Sequence, residues 1–437
     1  MNLPDLYTPS VAIGTKSSLP PHKNFNTKKP FITHSTINSV YCEAINYVRM
    51  KIVEVNNEQL AKEFLEMPTS IYEADNNWVR PLDDDINKVF NPLKNKYFKH
   101  GSLCRWLLKD DNGKAIGRVA AFINDSTAHK FDQPTGAMGF FECINKQQAA
   151  NLLLDTAKAW LAERGMEAMD GPINFGERNN WWGLLIEGYG PPSYGMNYNP
   201  PYYRALLEHY GFQIYFNQLS YGLGVNEERP GVYYEKSRKL LEEDKNYRFE
   251  HLTFNKIDKY TEDFRTIYNK AFVNSREGLK EMSSEQARNL MKAMKPILVD
   301  YLIWFGYYKE EPIAIFFMLP ELNGYFKHVN GKMNLVGKLK FLYHKLTGSV
   351  RKMYGIMFGV VPEHQGKGVE GGIIMAANAV VQPKKRWDEM ELTWIGDFNP
   401  KMMRVAENLG ARVVKKHATF RYLFDRNKPF ERYPMIE

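Results

Sequence analysis

Cysteine is scarce in this chain. Cys42, Cys104 and Cys143 are the only three in 437 residues, an odd number whose spacings fit neither a disulfide framework nor a zinc site. A reducing interior is the expectation, and no metal is expected. Long apolar runs are missing as well. None approaches the roughly 20 residues that a spanning helix needs, and the N-terminus lacks the apolar centre of a secretory signal. Together these absences point to a cytoplasmic protein. What is present is globular in character, with 44% hydrophobic, 25% charged and a generous 14% aromatic residues. At this length two domains of roughly 150 to 200 residues are expected rather than one core. The net charge of +8 favours anionic partners such as nucleic acid, phosphorylated cofactors, acidic carrier proteins or an anionic membrane surface, without choosing among them.

Residues 1–49 carry Pro, Ser, Asn, Thr and Lys with little periodicity, whereas "MKIVEV" at Met50 begins strand-like alternation. The first 49 residues therefore read as a flexible tail or a mis-assigned start. Residues 50–225 then give a helix, a hairpin turning on Asp111-Asn112-Gly113, a strand, the amphipathic helix "KQQAANLLLDTAKAWLAERGM", a strand, a helix and a strand. The order returns over residues 248–437, behind a charged helical connector at 226–247. Asn199, Pro200 and Arg204 in "NPPYYRALLEHYGF" answer Asn399, Pro400 and Arg404 in "NPKMMRVAENLGA". This predicts a tandem of two similar domains.

The most informative stretch is "VVPEHQGKGVEGGIIMAAN", residues 360–378. A strand that enters Gly-rich backbone and then a helix gathers unpaired N–H groups at the positive end of a helix dipole, which suits phosphate oxygens. Gly366, Gly368 and Gly371 fit a dinucleotide fingerprint with Asp388 beyond it, but only about 60 residues remain for the further βαβ units that fold needs. No Ser or Thr follows Lys367, so the stretch is not a P-loop. The loop does resemble the Gln/Arg-x-x-Gly-x-Gly/Ala motif of the GNAT superfamily of acyl-CoA N-acyltransferases, with Gln365 and Gly368 in matching places and Glu370 standing where the motif has Gly or Ala. "IGDFNPKMMRVAENLGA" resembles that family's fifth strand and following helix. The resemblance implies acetyl-CoA or a longer acyl-CoA as co-substrate, held by Val360, Val361, Gln365, Gly366, Lys367, Gly368, Val369 and Asn399.

The first half has "FECINKQQAANLLL" where the loop would stand, without a glycine pair, and is expected not to bind a cofactor this way. With "NWVRPL", "GFFE", "GPINF", "GLLIEG" and "YNPPYY", the whole chain after Met50 resembles a bacterial family of tandem GNAT-like proteins. The fold class implied is α/β: two tandem GNAT-like domains, each a mixed, mostly antiparallel sheet flanked by helices. Some members of that family are implicated in N-acylation of long-chain sphingoid bases, which implies a bacterial ceramide synthase-like role.

Acyl transfer to an amine needs a neutral amine, stabilisation of an oxyanion and an acid for the departing thiolate. The superfamily implies backbone N–H groups around Phe358–Val361 for the oxyanion. Glu391 and Asp397 bracket "LTWIG" and are the catalytic candidates, although charges at such places are commonly only solvated. The position where the family often has a tyrosine is Ala406, which leaves Tyr354 as a distant substitute.

Glu177, Arg178, Asn197, Tyr198 and Asn199 lie in the aromatic stretch "GPINFGERNNWWGLLIEGYGPPSYGMNYNPPYY" and are candidates for contacts to an amine or hydroxyl acceptor, the alternative being that this stretch welds the domains together. Residues 322–352 hold seven Lys/Arg and no acid, interleaved with apolar residues. That suits the inner membrane surface, an acyl carrier protein, or a helix packed on its own domain. The reading that joins these observations is an acyl-CoA-dependent N-acyltransferase with a small-molecule or lipid amine acceptor. A non-catalytic CoA- or acyl-carrier-binding protein is the alternative, and a nucleic-acid-binding protein fits less well because no reading module accompanies the charge.

Overall fold

A computed structural model describes residues 50–436 apart from 131–132, 229–230 and 274–280. The expectations for residues 1–49 lie outside the described residues. The strands in chain order are β1 (Lys51–Glu54), β2 (Gly101–Lys109), β3 (Ala115–Asn124), β4 (Thr135–Cys143), β5 (Ala168–Gly171), β6 (Leu184–Glu187), β7 (Gln213–Gly224), β8 (Tyr247–His251), β9 (Ile303–Tyr308), β10 (Glu311–Pro320), β11 (Lys352–Val360), β12 (Glu389–Leu392), β13 (Ile395–Gly396) and β14 (Arg412–Leu423). All belong to one 14-stranded sheet, whose main path runs β1-β2-β3-β4-β5-β14-β7-β12-β11-β10-β9-β8. The fold is two similar α/β lobes built on a mixed, mostly antiparallel sheet flanked by helices.

Local chemistry explains the elements. The β2–β3 hairpin closes on Asp110, whose carboxylate accepts from the N–H groups of Asn112 and Lys114, with Gly113 at φ 77°. The helix Gln147–Ala162 buries Ala149, Ala150, Leu153, Leu154, Ala157 and Leu161, a stripe at helical spacing that covers the sheet. Asn399 caps the helix Pro400–Asn408 by accepting from Met402 N–H at 3.2 Å, with Pro400 in the first turn.

The halves repeat one another beyond the helices. In each, a parallel pair stands at the centre: β4 with β5, and β11 with β12. Each fourth strand carries a register shift against its antiparallel neighbour, at Phe140–Phe141 in β4 and at Ile356 in β11. The last strands are exchanged. β14, the end of the second half, pairs with β5 and β6 of the first, while β7, the end of the first half, pairs with β12 and β13 of the second. β7 and β14 also pair with each other over Gln213–Gly222. The lobes therefore share one continuous sheet.

Candidate functional site: an open wedge in the second half

β11 and β12 run parallel only from Lys352↔Glu389 to Gly355↔Leu392, and a last bond joins Thr393 N–H to Gly355 O at 3.1 Å. Beyond it the chain crosses to β7, where Ile395 and Gly396 form β13. The segment 389–398 thus holds two short strands with different neighbours. The gap left beside Ile356–Val360 is a wedge through the sheet.

One side of the wedge is an apolar cavity lined by Met353, Met357, Met390, Leu392, Ile374 and Ala406 among others. The other side opens into a cleft between the halves, lined by Tyr354, Ile356, Thr393, Asp85, Glu321 and Trp181 among others. Alternate residues of β11 serve opposite faces, as strand geometry requires. Thr393 and Asn179 line both cavities, which places them where the two meet. Asn179 Oδ1 is buried without a hydrogen-bond partner there. A ligand N–H would satisfy it. Sequence reasoning named its neighbours Glu177 and Arg178 but passed over Asn179, since an Asn among Asn and Trp carries no spacing signal.

At the end of β11 the loop is held from several sides. Gln365 Nε2 donates to Val360 O at 2.8 Å, and His364 Nδ1 meets the Tyr247 hydroxyl at 2.8 Å. Gly366 and Gly368 adopt φ 69° and 102°, and a Cβ on Gly368 would stand 2.9 Å from the Lys236 carbonyl. That backbone belongs to the helix Gly231–Glu243, which packs along the helix Val369–Val381 and donates Ser237 Oγ to Gly368 O at 2.7 Å. The stretch read as a connector at 226–247 thus braces one side of the loop. Gln365, Gly366 and Lys367 remain exposed. Glu370 turns inward, and its carboxylate accepts from Gly366 N–H at 3.1 Å. An acid here occupies one amide that a phosphate would use.

The other site candidates separate into groups. Val360 and Val361 are buried at the loop's root, Val369 opens the helix, and Asn399 lines the apolar cavity while capping its own helix. Glu391 lies buried with Oε2 between Lys352 at 2.5 Å and Lys415 at 2.6 Å. Burial opposes its charge, but the two ammonium groups outweigh burial and hold the carboxyl below its ordinary range. Asp397 is bound by Arg432 at 2.7 Å and by Asn217 Nδ2 at 2.8 Å. The two carboxylates are thus in separate ion clusters. Tyr354 borders the cleft, and burial, with Glu391 second, pushes its hydroxyl pKa up, so it stays protonated.

The acceptor candidates do not form one group. Glu177 lines the cleft and pairs with Lys96 at 2.8 Å. Arg178 stands 5.5 Å from the Trp182 ring in a neighbouring hollow. Asn197, Tyr198 and Asn199 line a third cavity in the first half, where each has a structural partner: Gly183 O, the Asp75 carboxylate, and the Leu185 backbone on both sides. The aromatic stretch does join the halves, through Tyr194 N–H to Glu321 and Asn323 Nδ2 to Pro192 O, and it lines cavities as well. Among the described residues no group of three or more His, Cys, Asp or Glu is gathered as for a metal.

The matching wedge of the first half is packed with side chains, and a hollow lined by Gly136, Ala137, Asp170 and Ile173 opens beside it. Ile173 and Phe175 form a buried cluster with Phe122, Ala137 and Val89, and Phe140 and Trp181 pack against it. Ile173 N–H closes on Met138 O at 2.8 Å, and a Cβ on Gly139 would stand 1.8 Å from Ile173 O. At the end of β4 the Cys143 N–H donates to the Tyr203 hydroxyl at 2.8 Å, and that hydroxyl donates to Glu142.

No family model matches the chain. Over 371 residues it is 25% identical to Protein YghO of Escherichia coli (strain K12), covering 83% of this chain and 93% of the relative. It is 23% identical over 381 residues to the bacterial ceramide synthase of Caulobacter vibrioides (strain NA1000 / CB15N), covering 85% and 97%. A solved tandem GNAT protein from the clavulanic acid biosynthesis pathway aligns with a TM-score of 0.49 at 11% identity, over 87% of this chain and 100% of that one. The similarity to the two bacterial relatives runs through both halves, in keeping with the tandem GNAT-like resemblance of the sequence.

Proposed function

We propose that this protein is an acyl-CoA-dependent N-acyltransferase whose donor and acceptor meet in the wedge between β11 and β12. The observation that carries this reading is a gap in the sheet with an amide-bearing turn at its end, an apolar cavity on one side and a polar cleft on the other. The similarity to a relative named a bacterial ceramide synthase supports a lipid amine as the acceptor.

In this reading the N–H groups of residues 366–369 and the Lys367 ammonium hold the cofactor diphosphate once Glu370 swings away. Val360, Val361 and Asn399 wall the pantetheine arm, and a pantetheine amide donates to Asn179 Oδ1. The methionine-rich cavity takes the acyl chain, for which flexible thioethers are well suited. The amine enters from the cleft beside Glu177. Asp85, whose carboxyl burial pushes up while Tyr194 donates to it at 2.6 Å, receives the amine proton. The amine nitrogen attacks the thioester carbon, the strand-edge N–H groups of Phe358 and Val360, which alternate away from β10, stabilise the oxyanion, and the C–S bond breaks. The Tyr354 hydroxyl protonates the leaving thiolate. Asp397 and Glu391 act from behind, the first by holding the turn after β13 and the second by fixing Lys352 and Lys415 beside Tyr354.

The test is release of free thiol from acyl-CoAs of increasing chain length with long-chain amines in detergent. Thiol release that depends on the amine and rises with chain length is expected. Binding of acyl-CoA with no release for any amine would instead favour a non-catalytic CoA or acyl-carrier-binding role.

A further inference from the structure

The helix Leu335–Leu346 is attached to the protein by few side chains. Only Gly337 and Phe341 are buried, Phe341 lying 5.3 Å from the Tyr325 ring and 5.7 Å from Phe326. Leu335, Leu339, Leu342 and Leu346 recur at i, i+4, i+7 and i+11 on the outer side, with Val336 and Tyr343 beside them. Leu335 is 75% exposed and Leu346 77%. So continuous an apolar stripe is unusual on a surface helix. Lys332, Lys338 and Lys340 flank it in the open, and residues 322–352 contain seven Lys/Arg and no acid.

We infer that this helix is an interfacial anchor that lays its leucine stripe into the headgroup region of an anionic bilayer. Charge decides the occupant. A second copy docking through the same stripe would bring two sets of these cations together, whereas an anionic surface neutralises them. Among the described residues no helix is long and apolar enough to cross a membrane, so this contact lies in the plane of the surface. Its place in the fold ties it to the cleft: Phe326 packs on Tyr194 with ring centroids 5.3 Å apart, and Tyr194 lines the cleft with Glu321 and Leu322. The anchor therefore brings the acceptor entrance to the bilayer. That last step rests on the function proposed above; the surface contact itself does not.

The experiment is co-sedimentation of the full chain, without acyl-CoA, with vesicles of phosphatidylcholine alone or mixed with phosphatidylglycerol. Binding is expected on the mixed vesicles and to weaken with salt. The Leu339→Glu/Leu342→Glu variant should lose at least about tenfold in affinity, and each of Lys338→Gln and Lys340→Gln about fivefold. These side chains are exposed, so an unchanged melting temperature confirms that the variants fold. Failure of the wild type to bind the mixed vesicles, or equal binding by the leucine variant, overturns the proposal. So does a dimer in sedimentation equilibrium that the leucine variant dissociates without any vesicle binding. Because thiol release is assayed in detergent and vesicle binding without cofactor, either result can fail alone.

Discussion

The two halves share one topology and differ in what fills it. In both, a parallel central pair splays beside a bulged strand, and a helix follows that strand. In the first half Ile173, Phe175, Phe140 and Trp181 occupy the opening, and tyrosines take the polar groups at the end of β4. In the second, Thr393 leaves the gap clear and glycines replace the tyrosine-bound turn. The lesson is that one topology can be kept while side-chain volume differs, which in the function proposed above separates a structural lobe from a binding one. The exchanged last strands explain how the structural lobe persists: without it, β12 and β13 would lose β7, their partner.

The comparison can be broken by altering matched positions. Gly139→Ala forces a methyl onto the Ile173 carbonyl, a backbone atom that cannot step aside, and should destabilise by about 3 kcal/mol. Gly355→Ala meets only the end of Leu392 at 2.9 Å and should cost under about 1 kcal/mol. Denaturant titration of the two variants checks this, and equal losses would mean that the wedges are equally packed. Filling the open wedge by Ala406→Trp should lower kcat/KM for acyl-CoA by roughly a hundredfold, about 2.7 kcal/mol, while thermal unfolding shows the fold retained.

Between the halves, His417 of β14 is fully buried, with Nε2 placed 2.9 Å from Asn197 O and Nδ1 unpartnered. Burial holds its pKa down at about 4. The folded state keeps the ring neutral, so the unfolded chain binds the extra proton between the ordinary value and that one. Stability is therefore full above about pH 6.5 and falls as pH drops through this window, by about 2 kcal/mol from pH 7 to pH 5. Denaturant midpoints across pH should show this slope in the wild type and lose it in His417→Gln. Smaller again is Glu370→Gln, which removes a charge from the turn that would hold phosphate. It should tighten CoA binding several-fold, about 1 kcal/mol, by titration calorimetry at low salt.

Much of the fold was legible in the sequence because it is local. Hairpin turns, the Gly-rich turn and the helix repeat at Asn199 and Asn399 are written in neighbouring residues. Strand exchange is not, since β7 and β14 have similar apolar alternation and nothing in either names its neighbour in the sheet. The site was legible where backbone geometry demands glycine, as at Gly368. It was obscure where roles depend on distant partners: Lys415 ties up Glu391, Arg432 ties up Asp397, and Ser237 reaches Gly368 across 131 residues. Asn179 and Asp85 were invisible for the same reason, their significance lying in what lines a cavity with them.

The central claim, that one wedge binds and the other does not, is tested most directly by amide hydrogen exchange with and without a long-chain acyl-CoA. Slowed exchange at residues 365–370 and 353–358, with no change at the matching residues 135–149 of the first half, is the expected result. Protection confined to the first half, or absent from the glycine turn when the ligand is bound, would contradict it.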